Sequence, residues 1–400
     1  MMSKRTVHCS NVPHLKIATA VLIVTGTILM ILQIWCSKVP DRSENRTNLR
    51  KMLLNKGRGS CQPKRNIFFL KTHKTASSTI MNILLRYGEF NNLTFALPVR
   101  FTYYFYPKHF SASYVDSFSE KGNKNFNIMC HHMRFRFTEV QKVMANDTFY
   151  FTILRNPISL MESSFSYFKD KGPFAKAKNL EDFLTNTSTY YDVKMNKSHL
   201  AKNLMTFDLG FDPNGLDTIK NAKSTQGTID RIFKLVLIME YFDESLILLK
   251  NALCWSFDDI LSFPLNRRSN TTKKALTLQT QEKVKRWNSL DWQLYIYFNN
   301  SFWKHVKKFG RERMQREVRI LQMKRAEAGK KCLQGGVSPS HLKGTQFGIT
   351  TILGYNLKPG ITTNKPLCHR LIIPEVQYSN LVRFKQKRKQ TQIHYYKARA

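Results

Sequence analysis

Between Lys71 and Thr79 the chain reads KTHKTASST, a lysine- and hydroxyl-rich turn set between an apolar run, IFFL (67–70), and a helical pattern, STIMNILLRYGE (78–89). Backbone N–H groups at a helix N-terminus, small hydroxyls and a lysine together make a phosphate cradle. The plainer reading is a Ser/Thr cap beside a surface lysine. The hydroxyl run from Thr75 to Thr79 exceeds what a cap uses, which favours the cradle. A Walker A loop would carry glycines before its Lys-Ser/Thr pair, and this turn has none. A kinase or NTPase would also place an acidic Mg²⁺ ligand after a neighbouring strand. Here the run TFYFTIL (148–154) is followed by Arg155, within RNP, which suits a second anion, a structural salt bridge being the alternative. Ser163, eight residues further on, could bond the same group. No Cys/His metal spacing occurs, so no metal is expected.

These residues need elements to hold them. IFFL reads as a strand buried on both faces. Ile80, Ile83, Leu84 and Tyr87 have helical spacing, and Gly88 is placed to end that helix. Further strands are expected at 148–154 and at FKLVLIM (233–239), followed by helical SLMESSFSYFKD and DESLILLKNAL. FNIM (126–129) is strand-like, with a helix around Val140. Strands alternating with helices predict an α/β domain with a mostly parallel sheet. The charged stretch Arg311–Lys331 reads as a solvated helix, and the basic tail 383–400 as poorly ordered.

The 400 residues carry 64 Lys plus Arg against 27 Asp plus Glu, a formal charge of +37 that predicts an anionic partner: nucleic acid, phospholipid, or a phosphate- or sulfate-bearing ligand. The uncharged run IATAVLIVTGTILMILQIW (17–35) is long enough to cross a bilayer. Lys4, Arg5, His8, His14 and Lys16 precede it, so the N-terminus is expected in the cytoplasm. The run's length and the lack of an Ala-x-Ala-like site after it favour a retained signal anchor over a cleaved signal peptide. The expected organisation is a cytoplasmic tail (1–16), a transmembrane anchor (17–35), a lumenal stem (36–65), a catalytic domain (66–382) and the basic tail. Sequons at Asn45, Asn92, Asn146, Asn186, Asn196, Asn270 and Asn299 all follow the anchor, and lumenal residence excludes nucleic acid as partner. Of the lumenal cysteines Cys61, Cys130, Cys254, Cys332 and Cys368, an odd number, one thiol is left over; Cys332 with Cys368 could close a C-terminal loop.

The strings FLKTHKTASSTIMNILLRYGE, FNIMCHHMRF, FYFTILRNP, ILGYNLKPG and IPEVQY resemble the galactose 3-O-sulfotransferases of the Golgi, from about Asn66 to near Tyr378. The resemblance implies a P-loop NTPase-like sulfotransferase fold behind a single transmembrane helix, and single-pass type II residence in the Golgi membrane. It implies transfer of a sulfuryl group from 3′-phosphoadenosine 5′-phosphosulfate (PAPS) to the 3-hydroxyl of terminal β-galactose on glycoprotein or glycolipid glycans. Carried over, Lys74, Thr75, Ala76, Ser77, Ser78 and Thr79 would hold the 5′-phosphosulfate, and Arg155 and Ser163 the 3′-phosphate. Lys74 would steady the leaving phosphate, and His132 would be the general base, with His131 and His73 as alternatives. FTYYFYPKHF (101–110) offers Tyr103, Tyr104 and Tyr106, with Lys108 and His109, for stacking on galactose. Two other readings stay open: a sulfotransferase acting on another sugar, such as a uronic acid, and a non-catalytic protein that binds sulfated glycans.

Overall fold

A computed structural model describes residues 61–100, 102–120, 126–268, 275–337, 352–360 and 366–397. The chain divides into two units, Met1–Cys61 and Gln62–Ala400, and everything below lies in the second. The expected anchor (17–35), and the stem up to residue 60, lie outside the described residues; no described helix is long and apolar enough to cross a membrane.

Strand β1 (Ile67–Leu70) has every residue buried, as a continuous apolar run in a parallel sheet requires. After it come helix α1 (Ser77–Phe90), strand β2 (Ile128–Met129), helix α2 (Phe137–Val143), strand β3 (Phe149–Leu154) and helix α3 (Pro157–Phe168). A short helix α4 (Leu204–Asp208), strand β4 (Leu235–Ile238) and helix α5 (Phe242–Leu253) complete the alternation. The order in the sheet is β2-β1-β3-β4, all parallel, with Phe69 opposite Phe151 and Thr152 opposite Val236. The Phe69 and Phe151 rings stack at 4.9 Å across that pairing. Burying each such side chain contributes ~1.5–3 kcal/mol, so this strip anchors the sheet edge from which the site is built. A small antiparallel sheet joins Arg267–Arg268, Leu333–Val337 and Ile352–Leu357, so the parallel order holds for the central sheet only.

Helix α1 does not stop at Gly88 as expected but runs to Phe90. Gly88 is an interior contact: a Cβ there would lie 2.4 Å from the Phe95 ring, so the glycine lets the following segment cross α1 closely. The charged helix α6 (Arg311–Cys332) turns Met314 and Leu321 inward and is otherwise laced to its neighbours by pairs such as Arg325–Asp243 and Lys324–Asp258. Its end is tied by the Cys332–Cys368 disulfide, and among the described residues Cys130 is a free, buried thiol. Helix α7 (Pro366–Ile372) follows. Beyond it helix α8 (Glu375–Lys397) departs from the expected loose tail, being helical past residue 383. Arg383 bonds Asp116 and the Pro98 carbonyl, and Gln386 exchanges bonds with the Phe95 backbone, so tertiary partners order what composition alone marked as solvated.

Candidate functional site

Parallel strands deliver their loops to one edge, and in open α/β sheets ligands bind outside the carboxyl ends of the strands. The adjacent strands β2, β1 and β3 lead respectively into His132, the loop Lys71–Ala76 and Arg155. The sheet therefore joins three separate stretches of sequence at one edge.

The loop is built by its own hydroxyls. Thr72 Oγ1 donates to the Ile153 carbonyl (2.6 Å), Ser77 Oγ to the Thr72 carbonyl (2.7 Å), and Thr72 and Thr75 share a hydroxyl contact at 2.8 Å. Thr79 Oγ1 accepts the Leu265 N–H. Thr75, Ser77 and Thr79 are thus buried and turned into the protein. Their side chains are the loop's frame, and what they present outward is backbone. Lys74 and Ala76 have φ of 59° and 62°, left-handed values that L-residues seldom adopt. Alternating handedness of this kind gathers successive N–H groups into a concave nest for an anion. Among the described residues the N–H groups of Ala76, Ser77 and Ser78 have no hydrogen-bond acceptor, and they open the N-terminal turn of α1. That donor set fits a phosphate or sulfate, reinforced by the positive end of the helix.

Lys74 places Nζ 3.7 Å from the centre of the Tyr167 ring, a cation–π contact, and its carbonyl accepts from Arg155 NH1 at 2.7 Å. Arg155 therefore reaches the loop but also braces it. Ser163 lies half-buried on α3, one helical turn before Tyr167, while its neighbour Ser164 points inward.

The histidines are arranged more tightly than the sequence suggested. His73 and His132 stack with ring centres 4.0 Å apart. His132 Nδ1 donates to the Lys71 carbonyl (2.9 Å), which leaves its Nε2 as the lone-pair nitrogen. His73 Nδ1 lies 3.0 Å from both oxygens of Asp208, whose carboxylate also accepts the His73 N–H (2.7 Å) and the Tyr106 hydroxyl (2.8 Å). Asp208 is fully buried and comes from α4, with no local motif to announce it. Two residues later Gly210 (φ 91°) passes the Phe135 carbonyl so closely that a Cβ would sit 2.1 Å from that oxygen. Burial holds His132 well below the ordinary histidine range, with the charges of Lys71 and His73 adding to the effect.

His131 is not part of this pair. It is buried, its Nε2 bonded to Ser379 at 3.0 Å. In FTYYFYPKHF, Tyr104 is wholly buried and bonds the Ala96 carbonyl, and His109 bonds the Gly210 carbonyl. Tyr103 and Lys108 are exposed, and the Tyr103–Tyr104 backbone pairs with His132. Among the described residues no cluster of His, Cys, Asp and Glu could hold a metal ion.

Burial of neutral histidines has a measurable consequence. It lowers His131 to about 3 and His199 to about 4. Between those values and the unfolded value of ~6.5, the unfolded chain binds more protons than the native one, so stability falls as pH falls. By pH 5 each of the two contributes a loss of about 2 kcal/mol relative to pH 7. Asp291 acts oppositely: burial raises it to about 6, so the native state takes up its proton first. That returns about 1.4 kcal/mol by pH 5. The net expectation is a melting temperature several degrees lower at pH 5 than at pH 7, read by calorimetry. A flat profile would show that these histidines are hydrated or charged in the native state.

An α/β protein with a parallel sheet whose carboxyl edge carries an anion nest, an arginine and a histidine pair fits the sulfotransferase fold. A sequence profile of the galactose-3-O-sulfotransferases matches residues 1–386, and the chain belongs to that family. It is 44% identical over 341 residues to galactose-3-O-sulfotransferase 2 of Sus scrofa, covering 82% of this chain and 86% of that protein. It is 41% identical over 338 residues to the galactosylceramide sulfotransferase of Homo sapiens (81% and 79% covered). Human galactose-3-O-sulfotransferase 4 is 33% identical over 409 residues (82% and 84% covered). The chain is accordingly a sulfotransferase acting at the 3-hydroxyl of galactose, and it requires a sulfuryl donor.

Proposed function

We propose that the donor is PAPS and the acceptor a non-reducing terminal β-galactose of a glycoprotein or glycolipid glycan. The observation that supports this most is the row of N–H groups from Ala76 to Ser78, which fits a phosphosulfate, next to a pair of stacked imidazoles. Arg155 and Ser163 are assigned to the donor's second phosphate. The galactose O3 attacks sulfur as the bond from sulfur to the bridging phosphate oxygen breaks; its proton passes to an imidazole Nε2, and the leaving phosphate gathers charge that Lys74 and the nest offset. Of the two histidines we favour His73 as the base. Its Asp208 partner fixes the tautomer and compensates the charge that arrives with the proton. His132 faces Lys71 and His73, which oppose that charge. Tyr103 and Lys108 are the exposed candidates for acceptor contact.

The uncharged run 17–35, with basic residues before it, supports a single-pass type II anchor with a lumenal catalytic domain; residence in the Golgi membrane is what the family resemblance implies. The test is transfer of ³⁵S from labelled PAPS by the full chain to a panel of β-galactosides, with no metal added. Label on free galactosides, lost when O3 is blocked, is the expected result. Label confined to uronic-acid polymers would replace this reading with the other sugar class, and donor binding without transfer would favour a non-catalytic glycan binder.

A further inference from the structure

We infer that Glu375, near the far end of the chain, is a positioning residue for the donor loop. This rests on the proposal that the loop binds the sulfuryl donor. Lys71 leaves β1 with a side chain only 2% exposed, so its ammonium lies beneath the loop. Nζ has three acceptors, Ser77 Oγ at 3.2 Å, Ser78 Oγ at 3.3 Å and Glu375 Oε2 at 3.2 Å. An ammonium has three N–H bonds to give, and these match them. Ser78 Oγ in turn donates to Glu375 Oε2 at 2.8 Å and accepts from Asn266. The first turn of α1, whose N–H groups line the nest, is therefore held from below by a Lys71–Ser78–Glu375 triangle.

Glu375 is itself fixed. Its carbonyl accepts from Ser379 Oγ (2.8 Å), which accepts from His131. Burial alone would raise its carboxyl, but the Lys71 ammonium and the Ser78 hydroxyl hold it below the ordinary carboxylate range. The segment around it is fastened along α1: Asn82 bonds the Arg370 carbonyl, and Glu89 bonds Arg370, Tyr378 and Lys385. A carboxylate on so rigid a mount cannot follow the ligand. It neutralises Lys71 and keeps the nest in one geometry before the donor arrives, so the donor meets oriented N–H dipoles.

The experiment uses the full-length chain in detergent. It measures steady-state kinetics with PAPS and a galactoside, and binding of adenosine 3′,5′-bisphosphate by calorimetry. For Glu375→Ala we expect donor KM and bisphosphate Kd to rise about tenfold or more, the size of losing one charge-assisted hydrogen bond. kcat at saturating donor and the acceptor KM should stay close to those of the unaltered chain. Glu375→Gln keeps an acceptor for Ser78 but not the charge that neutralises Lys71, so it should recover part of the affinity lost in Glu375→Ala. Glu89→Gln cuts the other end of the same fastening; it should lower the melting temperature without moving donor KM. If Glu375→Ala does not fold, Ser78→Ala removes the same link without burying an unpaired charge, and donor affinity should fall in the same direction. Unchanged or tighter donor binding in these loop variants would overturn the inference, as would Glu89→Gln raising donor KM equally. Failure of the unaltered chain to bind the bisphosphate would overturn the donor-loop reading itself, and this inference with it.

Discussion

Replacing His73 by alanine is expected to lower kcat by roughly 10²–10⁴, the usual contribution of a positioned general base, with donor KM little changed. The expectation follows from geometry. The ring is held through Nδ1 by both oxygens of a fully buried carboxylate, so Nε2 is the nitrogen left to accept a proton. The Tyr106 hydroxyl keeps Asp208 in place, and the His132 face packs on the ring at 4.0 Å. Asp208→Asn should therefore reproduce much of the loss, because an amide in that place neither enforces the tautomer nor offsets the imidazolium charge. His132→Ala should cost less, by loosening one face of His73. The measurement is kcat and KM for the three variants at saturating PAPS. If His132→Ala shows the larger fall in kcat, the base is His132, the residue that the family resemblance points to, and His73 becomes its support.

Lys74→Ala should lower kcat by about 10²–10³ with little effect on folding. Lysine and alanine are both L-residues with a Cβ, so the left-handed backbone at φ 59° is equally strained in each, and the substitution isolates the ammonium. The Lys74 carbonyl still accepts from Arg155, so the link between the ends of β1 and β3 survives. Nζ lies over the Tyr167 ring, a modest cation–π contact that a ligand phosphate would outweigh. Lys74→Arg should rescue only in part, since a planar fork does not replace a compact charge at one bridging oxygen. Activity and melting temperature measured together decide the matter. A large fall in kcat at unchanged melting temperature supports the assignment, and full activity in Lys74→Ala would remove the lysine from the chemistry.

The strands around the site were readable from local pattern. IFFL, FYFTIL and LVLI are short, continuous, mostly apolar runs, as strands covered on both faces of a parallel sheet are, and each lies within the run predicted for it. Helix α1 was readable from its periodicity, but its end was not. Gly88 has the composition of a stop signal, and the approach of Phe95, which no local rule contains, makes it an interior residue. The tail beyond residue 382 misled in the same way: its charge says solvent, yet Asp116 and the Phe95 backbone give it partners.

For the site, the sequence determined residue types that must sit close together along the chain. The lysine, the hydroxyl run and the helix start are contiguous in KTHKTASST, so an anion loop could be inferred without a fold. It also supplied the list of histidines. The tertiary structure decided what each group does. Thr75, Ser77 and Thr79 frame the loop through their side chains, because their hydroxyls find carbonyl, hydroxyl and amide partners inside the protein. Asp208, 135 positions from His73, and Glu375, 297 positions from Ser78, carry no motif that links them to the loop. Their roles depend on charge compensation across a few ångströms of buried space, a distance that sequence separation does not encode.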